Sequence, residues 1–330
     1  MALSATVVVA APGPARAVDV GGVPTSLATT GAVRFEPLVA GPGGLTVAGS
    51  GSYRGAIEVR PNGRALAVVN DLPLEDYVRG IDEVPPSWPA AALQAQAIAA
   101  RTYAAHTAAA GDARWRAVGA DICATSTCQV YRGLDTERRA QGYGWLPAVA
   151  ATAGRALFEQ GRPIMASYSS TANGPRAMSQ NGALAMANEG RSAAEILAAF
   201  YGLQPTLAPG RLPAAIRVAV VMSTATVKIS TAAPLRVVDA AGTPLAAPGA
   251  GEWAIVAGAG GVRLVPPVTD PVPEAVPAPL PAPEAVLRRP TRAVTAAAPL
   301  PGPEPAALAA LVLAAMAATS TITLHRRRRA

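Results

Sequence analysis

Residues 80–103 read GIDEVPPSWPAAALQAQAIAARTY. An acidic pair, Asp82-Glu83, abuts Val84, two prolines and Trp88, and an alanine-rich helical pattern follows at once. Ser87 is a candidate N-cap, and Pro89 suits a first helical turn. The pattern runs from about Pro89 to Ala110, and Gly111 ends it. At helical spacing Gln94, Ile98, Arg101 and Ala105 share one face, and Tyr103 and the alanine-rich flank share another. Gln94 and Arg101 are therefore expected to point toward whatever precedes the helix, Glu83 included.

Working outward, residues 55–69 (GAIEVRPNGRALAVV) alternate in polarity and turn at Asn62-Gly63, which predicts a hairpin. NDLPLEDYVRG then reads as a turn and a short helix. On the other side, residues 121–133 (DICATSTCQVYRG) carry Cys123 and Cys128. In an exported protein such a pair forms a disulfide; the competing reading is a metal site, which only His106 would assist. Residues 163–174 (PIMASYSSTANG) predict a strand running into a hydroxyl-rich loop, either a solvated turn or a sugar-binding loop. EGRSAAEILAAFY (189–201) predicts an amphipathic helix. Several short strands are expected over 215–266, and GAVRFEP (31–37) is weakly echoed by GGVRLVPP (260–267).

The composition narrows the function. The chain has 330 residues, 51% hydrophobic but only 4% aromatic, so its apolar content is mostly small side chains. Four of its seven net positive charges are Arg326 to Arg329 at the end of the chain. A nucleic-acid binder spreads its basic residues over a domain face, so no nucleic-acid partner is expected. Of the two histidines, His325 lies in that basic tail. One usable histidine argues against a Ser-His-Asp site or a multi-histidine zinc site. No metal and no cofactor are expected, and any catalysis falls to a carboxylate.

Both ends carry candidate targeting segments. MALSATVVVAAPGPARA has an apolar run and small residues at the Ala15-Arg16-Ala17 stop, which fits a signal peptide over 1–17 without its basic start; a disordered terminus is the alternative. From Ala306 to Leu324 no residue is charged, and HRRRR follows. Nineteen helical residues span roughly 28 Å, close to a bilayer core. Residues 306–330 thus read as a membrane anchor or a processed sorting signal, with the arginines cytoplasmic. The proline-rich stretch 267–305 reads as an extended linker.

LPLEDYVRGIDEVPPSWPAAALQAQAIAARTYA resembles the stage II sporulation protein D / LytB amidase-enhancer family. So do Gln129-Val130-Tyr131-Arg132-Gly133, the Tyr168–Gly174 loop and Met178-Ser179-Gln180-Asn181-Gly182-Ala183. The resemblance covers roughly residues 45–203. Here Gly174 and Met178 almost abut where family members carry a longer segment, and no histidine lies near Cys123 to form the Cys/His zinc pair of some members. The resemblance implies an α+β fold over 31–203, with the long alanine-rich helix packed on antiparallel strands. A small β module over 204–266 would follow. It also implies a peptidoglycan lytic transglycosylase that cleaves the MurNAc–GlcNAc bond without water, with Glu83 as general acid/base. Physics agrees, because burial against Val84, Pro85 and Trp88 raises a carboxyl pKa toward the range a proton donor needs. Substrate binding would fall to Gln94, Arg101, Tyr103, Gln129, Tyr131, Ser169, Ser170, Thr171 and Asn173. The implied partners are glycan strands, a cell-wall amidase, and the membrane through the C-terminal helix. A non-catalytic wall-binding amidase activator is the alternative.

Overall fold

In the computed structural model the described residues are 16–18, 26–38, 44–258 and 261–267. The expected linker and anchor, and nearly all of the expected signal peptide, lie outside them. The cleavage point after Ala17 falls within a described three-residue strand, Arg16–Val18. Among the described residues no helix is long and apolar enough to cross a membrane.

The hairpin forms as its alternation predicts. Ala56–Asn62 pairs antiparallel with Ala65–Pro73, and Gly63 sits in the turn at φ 62°. Ala65–Pro73 is buried on both faces, which accounts for its nearly unbroken apolar run. Leu66, Val68 and Leu72 enter the main core, whereas Ala67 and Val69 pack with Trp115, Val118 and Cys123 on the other side. The hairpin belongs to a twelve-stranded sheet. Val33–Pro37 flanks it on one edge and Ala215–Thr224 on the other, both antiparallel. Beyond Val33–Pro37 come the long strands Thr226–Asp239 and Pro244–Gly258, then Gly261–Val265. The residues set apart in the sequence as a β module, 204–266, thus share one sheet and one core with those of 33–73. Arg34 and Arg217 tie four adjacent strands together, Arg34 through Asp71 at 2.7 Å, Arg217 through Glu58 at 3.0 Å and Asp71 at 3.3 Å.

Seven helices complete the described fold: α1 (Leu74–Arg79), α2 (Ala90–Ala110), α3 (Ala113–Arg116), α4 (Leu134–Arg139), α5 (Trp145–Ala151), α6 (Gln180–Asn188) and α7 (Ala193–Tyr201). The expected long helix is α2, ended as read by Gly111 in the left-handed region at φ 68°. Ser87 does not cap it. Pro89 holds the N-cap position without a side-chain hydrogen bond, and Ser87 is exposed. A helix that is apolar all round is a buried helix, and α2 is one. Its Leu93, Ala97, Ala100 and Ala104 face the sheet core. Its Ala95, Ile98 and Ala99 face a second core with Met178, Ile196, Leu197 and Tyr201. The expected helix at 189–201 starts later than read, at Ala193, because Ser192 and Glu195 close a capping box there.

Arg101 departs from its sequence reading. Its side chain is 0% exposed and forms a fork with Glu75 on α1, at 2.8 and 2.7 Å. It also donates to the carbonyls of Ala97 and Arg155. It is a clamp between α2, α1 and the strand at 155, and it does not turn toward Glu83. A face shared at helical spacing is matched by whichever carboxylate packs nearest, and α1 packs directly on α2.

Cys123 and Cys128 form a disulfide with Cα atoms 5.6 Å apart. It closes a loop whose Cys123 end pairs parallel with Ala215–Thr224. The metal reading finds no support among the described residues, which hold no group of three or more candidate ligands. His106 places Nδ1 2.9 Å from the Pro163 carbonyl.

Two outcomes follow from these ties. Removing Glu75 leaves a buried, unpaired guanidinium, so Glu75→Ala is expected to cost roughly 3–5 kcal/mol. The Glu75 side chain is 40% exposed, so Arg101→Met, which leaves a carboxylate able to rehydrate, is expected to cost less. Urea unfolding of both variants reads this order, and equal losses would refute it. Reducing the disulfide is expected to lower stability by roughly 2 kcal/mol in the chain-entropy picture. The same unfolding curves with and without a thiol reductant measure it, and superimposable curves would contradict it.

Candidate active site around Glu83

A short pairing fixes the corner between α1 and α2. Ile81 bridges Tyr131 in antiparallel fashion. The Asp82 amide donates to the Val130 carbonyl at 2.8 Å, and the Arg132 amide donates to Gly80 at 2.9 Å. Gly80 must be glycine here, since a Cβ would lie 2.7 Å from the Gly133 Cα. Pro85, Pro86 and Pro89 stiffen the turn that follows, and Gly144 braces it by donating to the Pro86 carbonyl at 3.0 Å.

That pairing separates the two adjacent acids. Asp82 turns to Arg132, at 3.0 Å, and to Arg139. Glu83 turns the other way, half-buried, and its Oε1 accepts the Val130 amide at 2.6 Å. Burial pushes the Glu83 carboxyl above its usual range, and the Val130 hydrogen bond opposes that push. The negative charge of Asp82 adds to the rise, and the nearby Gln180 amide works against it. Gln180 also donates to the Glu83 carbonyl at 3.4 Å. Glu36, Glu58, Glu137, Glu159 and Glu195 are instead held low, each by hydrogen bonds it accepts. Of the described carboxyls that leave their ordinary range, Glu83 alone moves up.

Behind Glu83 lies a buried hydrogen-bond relay. Gln129 is 0% exposed. The Tyr77 hydroxyl donates to its Oε1 at 2.8 Å, and its Nε2 donates to the Ala100 carbonyl at 3.1 Å and to the Tyr168 hydroxyl at 2.7 Å. Both amide protons of Gln129 are thus committed, so Tyr168 accepts one and retains its own proton as a donor. Burial, with the Glu83 charge added to it, raises the pKa of Tyr77, Tyr103 and Tyr168. Those three phenols are accordingly held as neutral groups.

The residues expected to bind substrate divide into three sets. Gln129, Tyr131 and Arg101 are internal. Tyr131 donates to Asn70 at 2.8 Å and packs on Tyr53 and Tyr77. Gln94 and Tyr103 are half-buried on α2, and Tyr103 borders a cavity. Ser169, Ser170, Thr171 and Asn173 are exposed on the loop between two short parallel strands, Ser167–Ser169 and Ala177–Ser179. This loop is tied to the Glu83 corner. The Ser170 carbonyl accepts from the Asn181 amide at 3.2 Å and from Ser179 Oγ at 3.3 Å, and Gln180 lies between those two residues. Gln180 and Tyr168 were not singled out as site residues from sequence. Both lie in stretches that carried the family resemblance, and that was the available signal.

Residues 62–158 match the SpoIID family, described as Stage II sporulation protein. Over 115 residues the chain is 35% identical to Stage II sporulation protein D of Bacillus amyloliquefaciens, covering 32% of this chain and 33% of that one. It is 34% identical to the protein of the same name from Bacillus subtilis (strain 168), again over 115 residues, covering 32% and 34%. A 54-residue stretch is 50% identical to an uncharacterized protein of Brachyspira hyodysenteriae, 16% of this chain and 15% of that one. The chain thus spans about a third or less of the length of these relatives. The matched segment contains the hairpin's second strand, the Asp82-Glu83 corner, α2 and the disulfide loop, and it is over this segment that the chain is similar to the SpoIID family.

Proposed function

We propose that the chain is an exported, surface-anchored protein acting on the cell wall, a lytic transglycosylase that cleaves MurNAc–GlcNAc strands with Glu83 as general acid/base. The observation that carries this reading is the half-buried Glu83 carboxyl, held by the Val130 amide at 2.6 Å in a corner whose burial pushes its pKa upward. A carboxyl whose pKa is raised by burial is better matched to donating a proton than an ordinary one. The disulfide supports placement outside the reducing cytoplasm.

In the proposed reaction Glu83 gives its proton to the glycosidic oxygen as the bond from the MurNAc anomeric carbon breaks. The C6 hydroxyl of the same sugar attacks that carbon, and its proton passes to the Glu83 carboxylate. An anhydro sugar forms and the acid is regenerated. No second carboxylate is required, in contrast to the paired acids of hydrolytic glycosidases. Tyr168, which accepts from Gln129, keeps its own phenolic proton to donate. The exposed hydroxyls of Ser169, Ser170 and Thr171 and the amide of Asn173 offer contacts along a strand.

The working acid is protonated Glu83, so cleavage should fall as pH rises through its raised pKa. Glu83→Gln removes the transferable proton, a loss of roughly 10²–10⁴ in rate. It also removes the cost of burying a charge, so the variant should melt no lower than wild type near neutral pH. Asp82→Asn should keep most activity. It deletes the negative charge that raises Glu83 and frees two arginines that lower it, so the alkaline limb should move to lower pH. Mass detection of anhydro-muropeptides from denuded glycan strands across a pH series measures the activity outcomes, and thermal unfolding of Glu83→Gln measures the stability one. Equal product from wild type and Glu83→Gln would overturn the enzyme reading. Intact glycan binding with no cleavage by wild type would leave a wall-binding amidase activator in its place.

A further inference from the structure

An open cavity of about 310 Å³ is lined by Tyr103, Asp112, Arg114, Trp115, Thr127 and Met165, among others. Two observations connect it to Glu83. Tyr103 forms one wall, and it is both a phenol whose pKa the Glu83 charge raises and a neighbour of Tyr168, with ring centroids 6.4 Å apart. Cys128, also in the wall, is two residues before Val130, whose amide holds the Glu83 carboxylate.

The lining has an uncommon make-up. The Arg114 guanidinium lies over the Trp115 ring, 5.0 Å from its centroid, and is thereby oriented at the cavity. Asp112 accepts the Arg114 amide at 2.8 Å through Oδ1, and among the described residues its Oδ2 has no hydrogen-bond partner. One planar acceptor, one planar donor, the Thr127 hydroxyl and two aromatic rings therefore border a space at the lower end of ligand-pocket size. An anion would meet Asp112, and a cation would meet Arg114. A neutral ring with an apolar face and hydroxyls at its edge satisfies both, because a hydroxyl donates to the carboxylate and accepts from the guanidinium.

We infer that this cavity is a carbohydrate subsite taking one N-acetylhexosamine ring of the strand whose glycosidic bond reaches Glu83. The inference rests on the glycan reading above and adds to it where the sugar next to the scissile bond lies. Tyr103 is then a wall of the subsite rather than a group in proton transfer.

The probe is a β-1,4-linked trimer of N-acetylglucosamine, titrated calorimetrically into the full chain. Thr127 and Met165 are exposed, Met165 by 46%, and lie on separate elements. Thr127→Trp and Met165→Trp therefore fill the cavity from two sides without entering a core. Each should weaken trimer binding at least tenfold while thermal unfolding stays at the wild-type temperature. Unchanged affinity in both filled variants, or no binding of the trimer to wild type, would overturn the subsite. The two readings fail separately. Filled variants that bind and cleave like wild type while Glu83→Gln is inactive remove the subsite alone. Filled variants that lose binding while Glu83→Gln still cleaves leave the subsite standing and remove the catalytic reading.

Discussion

The amide of Val130 and the carboxyl of Glu83 meet at 2.6 Å, and much of the surrounding structure is arranged so that they do. Burial alone would make Glu83 a neutral acid with no defined orientation, because an uncharged carboxyl gains little from a single donor. The Val130 amide favours the ionised form and burial favours the protonated one. A group held between two opposed influences of this kind can give a proton and take one back. The pairing of residues 80–82 with 130–132 supplies the amide, the prolines and Gly144 hold the turn, and Gln180 closes the site from α6.

Helix α2 makes this arrangement rigid. Alanine at most of its buried positions lets the sheet on one side and the α6–α7 pair on the other approach its backbone closely. The Ala100 carbonyl is thereby near enough to take a proton of the buried Gln129 amide at 3.1 Å. The Arg101–Glu75 fork fixes the helix against α1, the element that leads directly into the Asp82-Glu83 corner. Arg101, the one charged side chain of α2, thus contributes by holding its surroundings in place.

Local requirements were legible in the sequence, and partner choice was not. The hairpin follows from alternation and from a glycine able to take positive φ at residue 63. The end of α2 follows from the same requirement at Gly111. These are properties of a few adjacent residues. Arg101 was expected to point toward whatever precedes the helix, Glu83 included, but spacing fixes an azimuth and not which carboxylate waits there, and Glu75 takes that place. Gln129 and Tyr131 were expected to be ligand contacts on the strength of the family resemblance. The strand-like pairing at 130–132 sends alternate side chains to opposite sides, so 129 and 131 turn into the core while Arg132 stays outside with Asp82. The sheet shared by residues 33–73 and 215–265 was also hidden, since its pairings join segments more than 140 residues apart.

The loop after Tyr168 shows why a short connection suffices at this site. Parallel neighbouring strands usually take a crossover of a dozen or more residues. Here residues 170–176 join Ser167–Ser169 to Ala177–Ser179. Each strand is three residues long, so the chain has to return only about 10 Å. Arg176 makes the reversal at φ 57° and pairs with Glu159 at 2.6 Å, which ties the loop to the neighbouring hairpin at 158–163. The connection then enters α6 through the Ser179 cap, which accepts the Gly182 amide at 3.0 Å. Shortness couples the two ends: where Ser170 sits determines where α6 begins, and where α6 begins determines whether Gln180 reaches Glu83. The exposed hydroxyls of the loop and the acid they flank are therefore positioned by one continuous piece of backbone.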